Sequence, residues 1–78
     1  MDKEKLKSLK AQMEIAVIAV GRERQAHQFY LEASKTAYNE ESKELLITLA
    51  NEEKKHLEKV EKMLENMTAL YKEEKKIK

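Results

Sequence analysis

The sequence predicts an all-α fold: residues 1–78 form one antiparallel two-helix hairpin, and two such hairpins dimerise into a four-helix bundle. Three observations predict it. Charged residues are 40% of the 78-residue chain, Pro is absent and Gly occurs once. Ala, Leu, Glu and Lys dominate, which is the composition of long helices. Apolar side chains recur at alternating steps of three and four along nearly the whole chain, and that recurrence breaks once, at Tyr38-Asn39-Glu40-Glu41-Ser42. A single pair of helices from so short a chain cannot bury a sufficient core, so self-association is the expected remedy.

The first helix is expected over about 4–38. After a polar start its stripe runs Leu6, Leu9, Met13, Ala16, Ala19 or Val20, Glu23, Ala26, Tyr30, Ala33 and Ala37. Ile15 to Val20 is apolar all the way round, more than one partner helix covers, which implies contacts with other subunits. Gly21 costs a helix interior roughly 1 kcal/mol relative to Ala. It implies either a close approach by another backbone or a local distortion.

The turn is expected at about 39–41, where Asn39 either ends the first helix in a left-handed conformation or caps the second. Glu40 and Glu41 complement the dipole of the second helix, expected over about 40–74. Its stripe runs Leu46, Leu49, Glu53, His56, Val60, Met63, Met67 and Leu70. Neither Pro nor Gly stands at the turn, so one uninterrupted helix in a long coiled coil is the structural alternative. Heights within a hairpin decide against it. Residues equally far from the turn lie level, because both helices rise at the same rate per residue. About Asn39, Tyr30 falls level with Leu46 and Leu49, Ala16 with Val60 and Met63, and Leu9 with Met67 and Leu70. Every layer is apolar except the middle one, where Glu23 meets Glu53 and His56.

A carboxylate in an apolar stripe must be compensated, since removing it from water unpaired costs several kcal/mol. Glu-x-x-His places an oxygen and a nitrogen donor side by side on one helical face, and a divalent cation uses both. One hairpin supplies Glu23, Glu53 and His56, an incomplete shell; a two-fold homodimer doubles it, so that four carboxylates face two divalent cations and the charge cancels. Glu53, nearer the dyad, bridges, and Glu23 is terminal. Oxygen and nitrogen donors without thiolate suit iron or manganese, and zinc fits the same shell. His27 is read as a rim residue, and His27 and Glu52 are the candidates for guiding metal into the site. Met63 and Met67 stand at packing positions.

Several function classes fall away. The net charge of +1 comes from interleaved Lys and Glu, which makes no case for nucleic acid or an anionic membrane. Only Lys72 to Lys78 lean basic, read as a solvated helix end. The longest apolar run, Ile15 to Val20, is far below the ~20 residues that span a bilayer. With no Cys there is no disulfide, thiolate site or iron–sulfur centre, and with no signal peptide before the first helix the cytoplasm is the expected compartment.

Glu23-Arg24-Gln25-Ala26-His27-Gln28-Phe29-Tyr30, followed by Ser42-Lys43-Glu44-Leu45-Leu46 and by Leu49-Ala50-Asn51-Glu52-Glu53-Lys54-Lys55-His56, resembles half of a rubrerythrin or bacterioferritin-like four-helix bundle. The resemblance spans about Ile15 to Glu61 and rests on Glu followed seven residues later by Tyr, and on Glu-x-x-His. It implies a ferritin-like di-iron fold in which Glu23, Glu53 and His56 bind two iron ions per dimer, and in which the Tyr30 hydroxyl bonds to a ligand carboxylate. One hairpin per chain with the site assembled across a dimer is most similar to the encapsulated ferritins. Rubrerythrins with peroxidase activity carry a further Glu where this chain has Ala26, and a rubredoxin-like iron site that a chain without Cys does not hold. The resemblance therefore implies an oxidoreductase of ferroxidase or peroxidase type, oxidising ferrous iron or slowly reducing oxygen or peroxide with an external electron donor. Two alternatives stand beside it: a non-catalytic oligomerisation module with a buried Glu/His layer, and an iron storage or delivery subunit of a larger homo-oligomer.

Overall fold

Asn39 is what divides one long helical sequence into two helices. In the computed structural model, which describes residues 3–76, α1 runs over Lys3–Lys35 and α2 over Glu40–Lys76. The side-chain Oδ1 of Asn39 accepts the Ser42 N–H at 2.8 Å, and its carbonyl accepts the Lys43 N–H at 3.0 Å. These are the two bonds of an N-cap. Glu40 and Glu41 follow in the first turn, beside the positive end of the α2 dipole. Among the described residues no non-Gly residue has a positive φ, so Asn39 acts as the cap of α2 and not as a left-handed end to α1.

α1 stops earlier than its stripe, at Lys35 and not near 38, and the turn occupies 36–39 in place of about 39–41. Local hydrogen bonding accounts for the difference. The Ser34 hydroxyl donates to the Leu31 carbonyl at 2.7 Å, and the Thr36 N–H turns back to the Ala33 carbonyl at 3.3 Å, so the i→i−4 ladder ends there. Tyr38, left outside both helices, is 96% exposed. α2 in turn continues to Lys76, so most of the basic tail is helical; residues 1, 2, 77 and 78, which belong to the expected single hairpin, lie outside the described residues.

The helices pack antiparallel along a body of 59 × 14 × 12 Å. Two helices touch along one line, and among the described residues only small side chains on that line are fully buried, Ala16 and Ala50, and no large one is. Ile15, Val17, Ile18, Phe29 and Leu45 are each more than half exposed, with Met63 and Leu70 close behind. Fully burying such a side chain contributes about 1.5–3 kcal/mol, so covering these half-open ones offers on the order of 5–10 kcal/mol to any partner that fits. Gly21 lies in unbroken helix with nothing within 4 Å of where a Cβ would stand, so within the hairpin it marks neither a distortion nor a close approach. Among the described residues no helix is long and apolar enough to cross a membrane.

Candidate metal centre

Glu23 projects from the middle of α1, and Glu53 and His56 from one turn of α2. The earlier end of α1 leaves them level, because Glu23 and Glu53 stand nearly equidistant from a turn centred between Ala37 and Tyr38. One donor atom from each of the three, a carboxylate oxygen from Glu23 and Glu53 and a ring nitrogen from His56, lies within 4.8 Å of the other two. His56 Nδ1 stands 3.7 Å from Glu23 Oε2 and 3.9 Å from Glu53 Oε2. Those separations are too long for hydrogen bonds. They match two donors that share one cation, which sit about 3–4 Å apart when each is ~2.1 Å from the ion.

Burial is uneven across the three. The Glu53 and Glu23 side chains are 22% and 27% exposed, whereas His56 is 56% exposed. The stripe of α2 therefore does not point wholly into a core: it straddles the contact line, with Glu53 beside that line and His56 on the flank. Leu49, His56, Met63 and Leu70 recur every seven residues along this flank. On α1 the matching flank holds Ile15, Ile18, Ala19 and Arg22, which line a shallow concavity together with Glu23. The three-donor cluster thus opens onto an apolar surface of the hairpin.

Its electrostatics are unresolved within one chain. Ionised carboxylates only accept hydrogen bonds, and the Oε2 of Glu23 is buried without a partner. The Glu53 carboxyl is held above the ordinary value of 4.5 first by the adjacent Glu23 carboxylate, which would accept a hydrogen bond from its protonated form, then by burial and by the charge of Glu23, with His56 opposing. An orphaned buried carboxylate oxygen beside a second carboxyl with a raised pKa and an imidazole nitrogen is a donor set that a cation would satisfy. The residues present fit a divalent metal of the iron, manganese or zinc kind.

A pH dependence follows for the metal-free protein. A carboxyl whose pKa is raised by folding stabilises the folded state fully below its unfolded value, and that contribution is lost as pH rises through the folded value. On account of Glu53, stability falls as pH climbs from about 4.5. Glu53→Gln, which cannot ionise, is expected to melt above the wild type at neutral pH, the gap closing towards pH 4. Melting curves of both proteins in chelator across that range test it; a gap independent of pH contradicts it.

The remaining residues singled out from the sequence stand apart from the cluster. Tyr30 is half-buried, its ring edge-on to Phe29 at 5.5 Å between centroids, and among the described residues its hydroxyl makes no hydrogen bond to either carboxylate of its own chain. Glu52 is exposed and is not one of the three clustered donors. His27 is not on the rim. It lies between the helices, with Nδ1 2.9 Å from the Ala50 carbonyl oxygen. Sequence reading missed this bond, although the height rule that aligned Glu23 with Glu53 also aligns His27 with Ala50, both being nearly equidistant from Asn39. On the opposite flank Arg24 and Glu61 form an exposed ion pair at 2.9 Å.

Residues 14–78 match the family model described as Rubrerythrin. No curated protein and no solved structure matches the chain.

Proposed function

Because the chain belongs to the rubrerythrin family, we propose that two hairpins pair about a two-fold axis into a four-helix bundle, and that Glu23, Glu53 and His56 of each chain together hold two iron ions at its centre. The observation that carries this reading is the convergence of three donors from two helices around a buried carboxylate oxygen with no partner. The family match supports iron, and the half-open apolar flank around the half-site supports a second copy of the chain as the cover.

The chain's own groups have distinct tasks in such a centre. Four carboxylates offset the charge of two divalent cations, so nothing uncompensated is left when the partner excludes water. Glu53 would be the carboxylate shared between the two ions, and Glu23 would serve one of them. His56 would bind through Nδ1 as a neutral ligand and add no charge. Because its pKa is raised, any proton on Glu53 would be released on binding. Tyr30, a hydroxyl two turns along α1 from Glu23, donates to a carboxylate across the axis. Ile15, Ile18, Met63 and Leu70 close the flank and keep bulk water from the site. When bound, iron would supply one-electron chemistry at each ion, with ferrous iron or an external donor giving up electrons and dioxygen or peroxide accepting them.

The test is elemental analysis of protein purified without added metal, paired with its mass in solution. Two irons for every two chains, at a mass of two chains or a multiple, is the expected result, and ferrous iron added to stripped protein should drive oxygen consumption. A metal-free dimer would instead make Glu23, Glu53 and His56 a polar layer that sets register.

A further inference from the structure

We propose that His27 is the positioning residue of the metal centre, a clamp that sets the lengthwise register of α1 against α2 so that Glu23 meets Glu53 and His56. The inference rests on the metal-centre reading above.

A backbone carbonyl only accepts, so the 2.9 Å contact requires the His27 proton on Nδ1, with Ala50 O as acceptor. In a helix that oxygen also receives the Lys54 N–H, and its two lone pairs serve both. Ala50 is fully buried, so no side chain stands between the imidazole of one helix and the backbone of the other. His27 lies one turn beyond Glu23 on the same face of α1, and Ala50 one turn before Glu53 on the same face of α2. The clamp and the half-site are therefore adjacent layers on the same pair of helical faces.

Register needs such a device here. The contact line is built from Ala16, Ala50 and half-covered aliphatic side chains. A surface of that kind accepts a slip of one helical turn, about 5.4 Å, at little loss of apolar contact. The nearby Arg24–Glu61 pair does not prevent it, since two long exposed side chains follow a sliding helix and hold it weakly. A rigid ring against a backbone oxygen has no such slack. One turn of slip breaks the His27 bond and carries Glu23 away from Glu53, whereas donors to a metal must be held within about 0.5 Å of their working positions.

Two variants and one direct measurement test the clamp. Wild type, His27→Leu and His27→Gln are titrated with cobalt(II) alone under anaerobic conditions, recording the dissociation constant and the visible ligand-field spectrum, with helix content and mass in solution as controls of fold. His27→Leu keeps bulk and removes the donor; the expected loss of affinity is about 10- to 100-fold, with an altered spectrum. His27→Gln restores an N–H and is expected to recover most of both. An unchanged constant and spectrum in His27→Leu would overturn the proposal. Cross-helix proton contacts between Glu23 and Glu53 in metal-free protein must also weaken in His27→Leu and persist in His27→Gln. If wild type binds no cobalt while these contacts behave as stated, the metal reading fails and the clamp stands. Nitrogen-15 shifts of wild-type His27 must show the Nδ1–H form; the Nε2–H form overturns the clamp without any variant.

Discussion

Glu53→Ala is expected to abolish binding of divalent metal, and Glu52→Ala to leave it nearly unchanged. The two residues are neighbours with the same side chain, so charge and helix propensity cancel from the comparison. What differs is direction. Glu53 shares the stripe, is 22% exposed and contributes one of three donors within 4.8 Å of one another. Glu52 is turned a third of the way round the helix and faces solvent. In the proposed dimer each substitution occurs twice, and a bridging carboxylate serves both ions. Losing even an outer partner of a metal ligand costs about 10- to 100-fold in affinity, so losing the bridge removes more than about 100-fold. Equilibrium dialysis of stripped protein against ferrous iron or manganese(II) reads the difference, and equal retention in both variants would mean that the stripe is not the metal-bearing face.

Metal is expected to raise the melting temperature, and to do so in a way that depends on protein concentration. In the proposed dimer each chain holds half of the donors, and metal-free assembly brings four carboxylates together; within one hairpin Glu23 already raises the pKa of Glu53. An ion that binds the assembled site and not the open chain contributes RT ln(1 + [L]/Kd), roughly 4 kcal/mol at a thousandfold excess over Kd. For a folding unit of two such chains that is a rise of roughly 8–16 °C. Chelator should reverse the rise and, in dilute protein, release single chains. Glu23→Gln combined with Glu53→Gln removes the repulsion, so that variant is expected to melt above the metal-free wild type and to ignore metal. Thermal melts with and without chelator at several protein concentrations measure all of this. A melting point indifferent to metal would sink the intersubunit site.

Much of the hairpin was legible because its signals are local. Asn39 followed by two Glu is a helix start that needs no tertiary context, and the structure uses Asn39 in that way. The end of α1 was not legible to the residue. Ala33 and Ala37 continue the stripe, and only the hydrogen bonds of Ser34 and Thr36 show where the ladder gives out. Within the candidate centre, the meeting of Glu23, Glu53 and His56 was readable from heights alone, since both helices rise at the same rate. The exposure of His56 was not, because a periodic pattern marks which side chains share a face and says nothing of how far a neighbour extends over it.

The sequence by itself determined what repeats and what counts: two helices, one turn, and two carboxylates and an imidazole at one height. Spacing along a helix is a one-dimensional property and survives any packing. Only the tertiary structure decided how the two helical faces are rotated against each other. That rotation seals Ala16 and Ala50, leaves Ile15, Ile18 and His56 open along one flank, strips the Oε2 of Glu23 of any partner, and drops the His27 ring onto the Ala50 carbonyl. Rotation is set by which small side chains let two backbones approach, a pairwise fit that no single stripe contains.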